Sequence, residues 1–222
     1  MADWVVISSI ASAGGTLALA GTTYFSIRSA NRAARVAEMS LLVGLRPLLV
    51  SSSPEDASQH VGFFDGVGVD APGQGAGVVV VEGNVYIVTS LRNVGPGIGV
   101  LYGGYVHGER LGSSDDHAPI DDFRMLSRDL YIPPGKIGFW QIAFRGEDAH
   151  REDVLAGVES GEFTIDLLYG DYEGGQRVIT RFGLLREEDA WSLITARHWQ
   201  LDRPEIPRPR GSFVEGRYQG GA

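Results

Sequence analysis

The sequence predicts a mainly β protein: an antiparallel β-sandwich of immunoglobulin-like type, preceded by one transmembrane helix. Three observations lead there. Short valine-, isoleucine- and aromatic-rich runs recur along residues 47–200, many with alternating polarity. Turn signals separate them, drawn from 31 glycines and 10 prolines. Ahead of them lies a long stretch without charge.

That stretch runs from Trp4 to Ile27, 24 residues without an acidic or basic side chain. As a helix it extends about 36 Å, against about 30 Å of hydrocarbon core. Trp4 stands at one end and Tyr24 with Phe25 at the other, where amphipathic rings meet headgroups. Only Asp3 precedes it, whereas Arg28, Arg32 and Arg35 follow. A basic n-region is thus missing, which argues against a cleaved signal. The same asymmetry predicts a single-pass protein of the cell membrane, N-terminus outside and the following domain cytoplasmic. Ser8, Ser12, Gly15, Ala18 and Thr22 form a stripe of small residues suited to helix packing and homo-oligomer formation. Ile27, Ala30, Ala34, Ala37 and Leu41 continue one helical face. Gly44 and Pro47 end the helix near 43–45.

After Pro47 the strand candidates are 47–52, 61–69, 77–91, 98–107, 137–145, 162–169, 176–184 and 191–200. The run at 137–145 is apolar on both faces. Asn93-Val94-Gly95-Pro96-Gly97, Pro133-Pro134-Gly135 and Gly170–Gly175 supply turns. Residues 108–130 form an acidic loop with a short helical turn, and part of 184–199 has a second, helical reading. The expected organisation is a helical segment at 1–45, a β domain at 46–202 and a disordered, proline- and glycine-rich tail at 203–222.

Charge excludes one class of function. The formal net charge is -9; residues 1–47 carry +2 and residues 48–222 carry -11. So acidic a domain repels a phosphate backbone, and no nucleic-acid partner is expected. With no cysteine, disulfides, thiolate nucleophiles and cysteine-ligated metals are excluded. No hydrolase elbow, phosphate loop, zinc-helix or dinucleotide pattern is present, so no catalytic residue and no cofactor is assigned.

Two constellations remain. Asp115, Asp116, His117, Asp121 and Asp122 offer hard oxygen ligands and one imidazole, a weak candidate metal site without EF-hand spacing. Tyr169, Asp171, Tyr172 and Glu173 combine aromatic and acidic groups suited to a basic peptide, or else close the sandwich edge with Asp171 capping the turn. Glu147–Asp153, with His150 inside it, is expected to be an exposed charged loop.

Arg46-Pro47, Arg92-Asn93-Val94-Gly95-Pro96-Gly97 and Tyr169-Gly170-Asp171 also carry a resemblance. The chain resembles uncharacterised bacterial, actinobacterial-like single-pass membrane proteins with a small C-terminal β domain. The resemblance implies architecture and supplies no catalytic or ligand residue. The resulting expectation is a membrane-tethered protein-interaction or scaffold module, with the lipid bilayer and a membrane or cytoplasmic protein as partners. The alternative is a ligand-responsive sensor using the 108–130 loop; an enzyme ranks last.

Overall fold

A computed structural model describes residues 2–112 and 115–202, with the side chains of residues 2–13 and of residue 18 left aside. The elements in order are α1 (Ala2–Gly44), β1 (Leu49–Ser51), β2 (Gln59–Gly62), β3 (Gly68–Ala71), β4 (Gly75–Val81), β5 (Asn84–Asn93) and β6 (Gly99–His107). A 3-10 turn (Ile120–Asp122) precedes β7 (Arg124–Met125), β8 (Tyr131–Ile132) and β9 (Ile137–Phe144). Then come α2 (Arg151–Ser160), β10 (Glu162–Gly170), β11 (Val178–Glu187) and β12 (Ala190–Gln200). The expected tail at 203–222 lies outside the described residues.

The β class holds; the sandwich does not. A sandwich needs two ladders facing each other, whereas ten strands here share one antiparallel sheet. Its path is β1-β5-β4-β12-β11-β10-β6-β7, with β9 on β5 and β8 on β6. Only β2 and β3 pair separately, as a hairpin. Register shifts at Leu168/Tyr169 and Arg181/Phe182 bend the long strands. The sheet thereby wraps one main core of Leu49, Ile87, Trp140, Phe163, Ile165, Phe182 and Leu193, among others. A second cluster, with Phe63, Val69, Tyr86 and Val88, sits beneath the hairpin. A third gathers Phe123, Leu168, Ile179 and Trp199 under the 118–123 segment.

Local chemistry explains the departures from the expected elements. The run 77–91 is two strands, because Glu82 and Gly83 both take positive φ, 49° and 75°, the geometry of a tight hairpin. Glu188 at φ 55° similarly turns β11 into β12, so the helical reading of 184–199 fails. The charged run near His150 enters a helix. Glu152 and Asp153 occupy the first turn of α2, Val154 and Val158 face inward, and Gly161 stops the helix at φ 83°.

The N-terminal expectation is corrected most. α1 is helical to Gly44, but among the described residues no helix is long and apolar enough to cross a membrane. From position 14 onward, Gly14, Gly15, Thr16, Gly21, Thr22, Thr23 and Ser26 dilute the apolar side chains. Arg28, Arg32, Arg35 and Glu38 then follow on the same helix. This removes the transmembrane helix, the single-pass topology with its cytoplasmic domain, the bilayer and membrane partners, and the tethered scaffold. Gly15 and Thr22 stand exposed on α1, while Ser8, Ser12 and Ala18 lie outside the described side chains. The homo-oligomer built on that stripe therefore has no support. The helix meets the sheet at its C-terminal end, where Gln176 Nε2 donates to Leu42 O at 2.5 Å.

Candidate functional site

Among the described residues no ladder closes the sheet. One margin is β9, whose partner is β5; the other is the strand-like stretch 124–132, which follows β6 through β7 and β8. Ile132 packs so near Gly138 that a Cβ there would meet its side chain. From that end the margins diverge, and among the described residues long side chains, not ladder bonds, span the gap. Arg124 Nη1 donates to Ala143 O at 2.8 Å. Arg128 Nη2 donates to Gln141 Oε1 at 3.1 Å, and Gln141 Nε2 to Asp129 Oδ2 at 3.2 Å.

Backbone direction along β9 follows from these bonds. Ser90 O accepts from Ser52 N at 3.1 Å, so Ser90 faces β1; its cross-strand partner is Phe139. In an antiparallel pair the groups of such a residue point away from the neighbouring strand. Ala143, bonded to Arg124, obeys the same alternation. Phe139, Gln141 and Ala143 therefore turn their backbone N–H and C=O toward the gap. Across it, Leu126 N donates to Tyr102 O at 2.7 Å, which directs the adjacent Met125 backbone outward, toward β9.

A cleft of about 320 Å³ occupies this gap, lined by the segment Arg124–Arg128, by Trp140–Ala143 of β9, and by Phe63, Phe64 and Arg145. Its rim is apolar and open: Phe64 is 90% exposed and Met125 64%. Its walls carry three guanidinium groups in a domain of strongly negative charge. Arg145 stacks on Phe63, Phe64 and Tyr86, 5.1–5.7 Å from the ring centres, and its Nε donates to Asp65 at 2.6 Å. Tyr86 OH donates to the same carboxylate at 2.7 Å. The Arg145 and Tyr86 bonds hold the Asp65 carboxyl down at about 2. Among the described residues, Arg145 Nη2 is a buried donor of this cleft without an acceptor. An unsatisfied buried donor is costly, and in a cleft it points to a missing acceptor.

Trp140 is only 1% exposed and lies against Gly104, where an added Cβ would meet the indole ring. Gly104→Ala is expected to push the ring aside and destabilise the fold by about 1–3 kcal/mol. Urea unfolding and the position of the Trp140 indole N–H resonance check it; a wild-type midpoint with an unmoved resonance contradicts this packing.

The residues singled out from sequence lie elsewhere. Among the described residues no three histidine or carboxylate side chains converge into a metal-holding group. The 115–118 segment is instead tied to a buried ion pair. Arg181 and Asp166, both fully buried, form two guanidinium–carboxylate bonds of 2.8 Å each. Arg181 also donates to Gly112 O, Asp115 O and Asp116 O. Asp115 Oδ2 accepts from Gly112 N at 2.6 Å, and His117 contacts its neighbour Ala118 O at 2.7 Å. Asp121 and Asp122 fall in the 3-10 turn. In the tyrosine turn, Tyr169 is internal and its hydroxyl lies 3.0 Å from Thr180 Oγ1. Asp171, also buried, accepts from Gly175 N at 2.8 Å. Only Tyr172 and Glu173 are presented outward.

The cleft residues escaped sequence reasoning because Phe64, Arg124, Trp140 and Arg145 belong to no motif. The one available signal was the two-faced apolarity of β9, which sits between the main core and the hairpin cluster. No family model, curated protein or solved structure matches the chain, so the resemblance to actinobacterial-like single-pass membrane proteins is withdrawn together with the membrane-spanning reading of α1.

Proposed function

We propose that the sheet domain is a binding module that takes an amphipathic anion in the cleft between β9 and residues 124–128. One observation carries this reading. Arg145 Nη2, a buried donor without an acceptor, belongs to the same cleft as an exposed apolar rim. A carboxylate satisfies such a donor, and an apolar body covers Phe64 and Met125. Each of the three arginines, Arg124, Arg128 and Arg145, already faces one carboxylate, Asp148, Asp129 and Asp65 respectively. The preference for an anion therefore rests on the Arg145 Nη2 donor, a short-range pairing that outweighs charges beyond a Debye length.

The test is a titration of isotope-labelled protein with decanoate and with decylamine, which shares the tail and reverses the charge. Decanoate is expected to move the Arg145 side-chain signals saturably; decylamine is not. Phe64→Ser, at a residue already in solvent, is expected to weaken decanoate at least fivefold without changing the melting temperature. Equal responses to both amphiphiles, or shifts that avoid Arg145, refute the assignment.

A further inference from the structure

We infer that the physiological ligand of this cleft is an extended polypeptide segment, which adds as a strand to the free edge of β9 and presents an acidic side chain to Arg145. This rests on the binding-module reading above and narrows its ligand class. The first support is the backbone. Phe139 and Gln141 direct both N–H and C=O into the gap, and among the described residues nothing is bonded to them there. Met125 directs its own across from the opposite bank. Neither an isolated fatty chain nor a simple carboxylate pairs with such a row; another strand does, at about 4.8 Å from β9.

The second support is how the row is protected. Free edges invite pairing with other chains, and proteins commonly block them with charged side chains. Here the block consists of reversible side-chain bonds. Arg124 occupies Ala143 O, and Arg128 and Asp129 hold the Gln141 amide. Each of these can swing away without disturbing the ladder between β9 and β5. Arg124 is separately paired with Asp148, and Arg128 donates to Gly62 O at 2.9 Å, so both keep a partner when they leave the gap. Asp129, at φ 54°, lies between the two points where the 124–132 stretch bonds to β6, Leu126 N to Tyr102 O and Leu101 N to Leu130 O.

Chemistry and spacing then define the peptide. Alternate side chains of an added strand point to the same side. One set meets Phe64, Met125 and Leu126 and is apolar. An acidic residue in the strand reaches the guanidinium groups, where Arg145 Nη2 lacks an acceptor. A segment of four to six residues with β-branched or aromatic positions around one glutamate fits this description; a lysine in its place offers Arg145 Nη2 no acceptor.

The experiment uses the full chain and three synthetic peptides: acetyl-Val-Phe-Glu-Val-Thr-amide, its Glu→Lys form, and a form N-methylated at alternate residues on the β9-facing side. N-methylation removes strand hydrogen bonds and keeps every side chain. The parent peptide is expected to bind more tightly than decanoate, with protection of the Phe139 and Gln141 amides from hydrogen exchange. Both altered peptides are expected to bind at least tenfold more weakly. Arg145→Gln is expected to reduce the difference between the Glu and Lys peptides, and its unchanged circular dichroism shows that the fold survives. Equal binding of the methylated and parent peptides overturns strand addition while leaving an anion-binding cleft intact. Decanoate binding with no peptide binding also overturns it. Failure of decanoate and peptides alike removes the binding module itself.

Discussion

Arg181→Met is expected to destabilise the protein by about 3–5 kcal/mol, because it leaves a buried carboxylate without its countercharge. Asp166 is fully buried, and its remaining polar neighbours are His107 Nε2 at 3.0 Å and Ala118 N at 3.0 Å. The change also strips three backbone carbonyls, those of Gly112, Asp115 and Asp116, of their donor. Trp199 loses the guanidinium stacked 4.9 Å from its ring centre. A fall of roughly 10 °C in melting temperature follows for a domain of this size. The double variant Arg181→Met/Asp166→Leu removes the stranded charge together with its partner and is expected to recover part of the loss. Additive losses in the two single variants and the double would show that the pair is not coupled.

The same pair sets an acid dependence. Burial alone pushes the Asp166 carboxyl upward; bonds from Arg181, His107 and the Ala118 N–H outweigh it and hold it at about 2. The folded value lies below the unfolded value of about 3.9. The resulting stabilisation is therefore fully present above pH 4 and is lost as pH falls toward 2, an amount of about 2–3 kcal/mol. Asp166→Asn is expected to flatten the stability profile across that window. A slope between pH 4 and pH 2 identical to wild type would contradict the assignment.

What the sequence could show was local. Alternation and turn residues located most strands, and the apolarity of both faces of β9 anticipated a strand covered on two sides. Pairing was not legible, because periodicity gives a strand its inward face and leaves its neighbours open. Seven or eight strands with these joints suit a sandwich as well as one curled sheet. What decides between them is the length of β5, β11 and β12 together with bulges at Arg181/Phe182 and Leu168/Tyr169, and a bulge here has no residue signature. α2 was legible and overlooked: Val154 and Val158 stand one turn apart behind two acids and ahead of Gly161. The cleft was not. Phe64 and Arg145 are joined only after β2, β3 and β9 have packed, and an arginine in a list of charges reveals neither its aromatic neighbours nor its missing acceptor. The apolar N-terminal stretch misleads in the opposite direction, since the absence of charge suggests a span that dilution by glycine, serine and threonine denies.

Asn93→Ala is expected to cost as much as the loss of Arg181, although the sequence marks Asn93 only as part of a turn. Its side chain is fully buried and makes four hydrogen bonds. Oδ1 accepts from Leu48 N at 3.2 Å and Gly95 N at 3.0 Å, and Nδ2 donates to Gly97 O at 2.7 Å and Ile132 O at 2.9 Å. That is the full capacity of a carboxamide. It fastens the strand leaving α1, the 93–97 turn and β8 to one point. Glycine is required around it, since a Cβ at Gly97 or Gly95 would run into the backbone of Leu45–Leu48. Alanine at 93 leaves Gly95 N and the carbonyls of Gly97 and Ile132 without their buried partner, at about 1–3 kcal/mol each before relaxation, and frees Leu48 N at the half-buried margin. A net loss of about 3–5 kcal/mol is expected, with faster amide exchange at Leu48 and Gly95. Asn93→Asp separates this account from a simple packing defect. Its carboxylate can still accept from Leu48 and Gly95 but repels the carbonyls of Gly97 and Ile132. Burial and that repulsion raise the folded-state carboxyl above its unfolded value, so stability lost at pH 7 returns as the pH is lowered and the group takes up a proton that restores a donor. If Asn93→Asp instead loses stability steadily from pH 7 to pH 5, the two donated bonds do not carry the energy assigned to them.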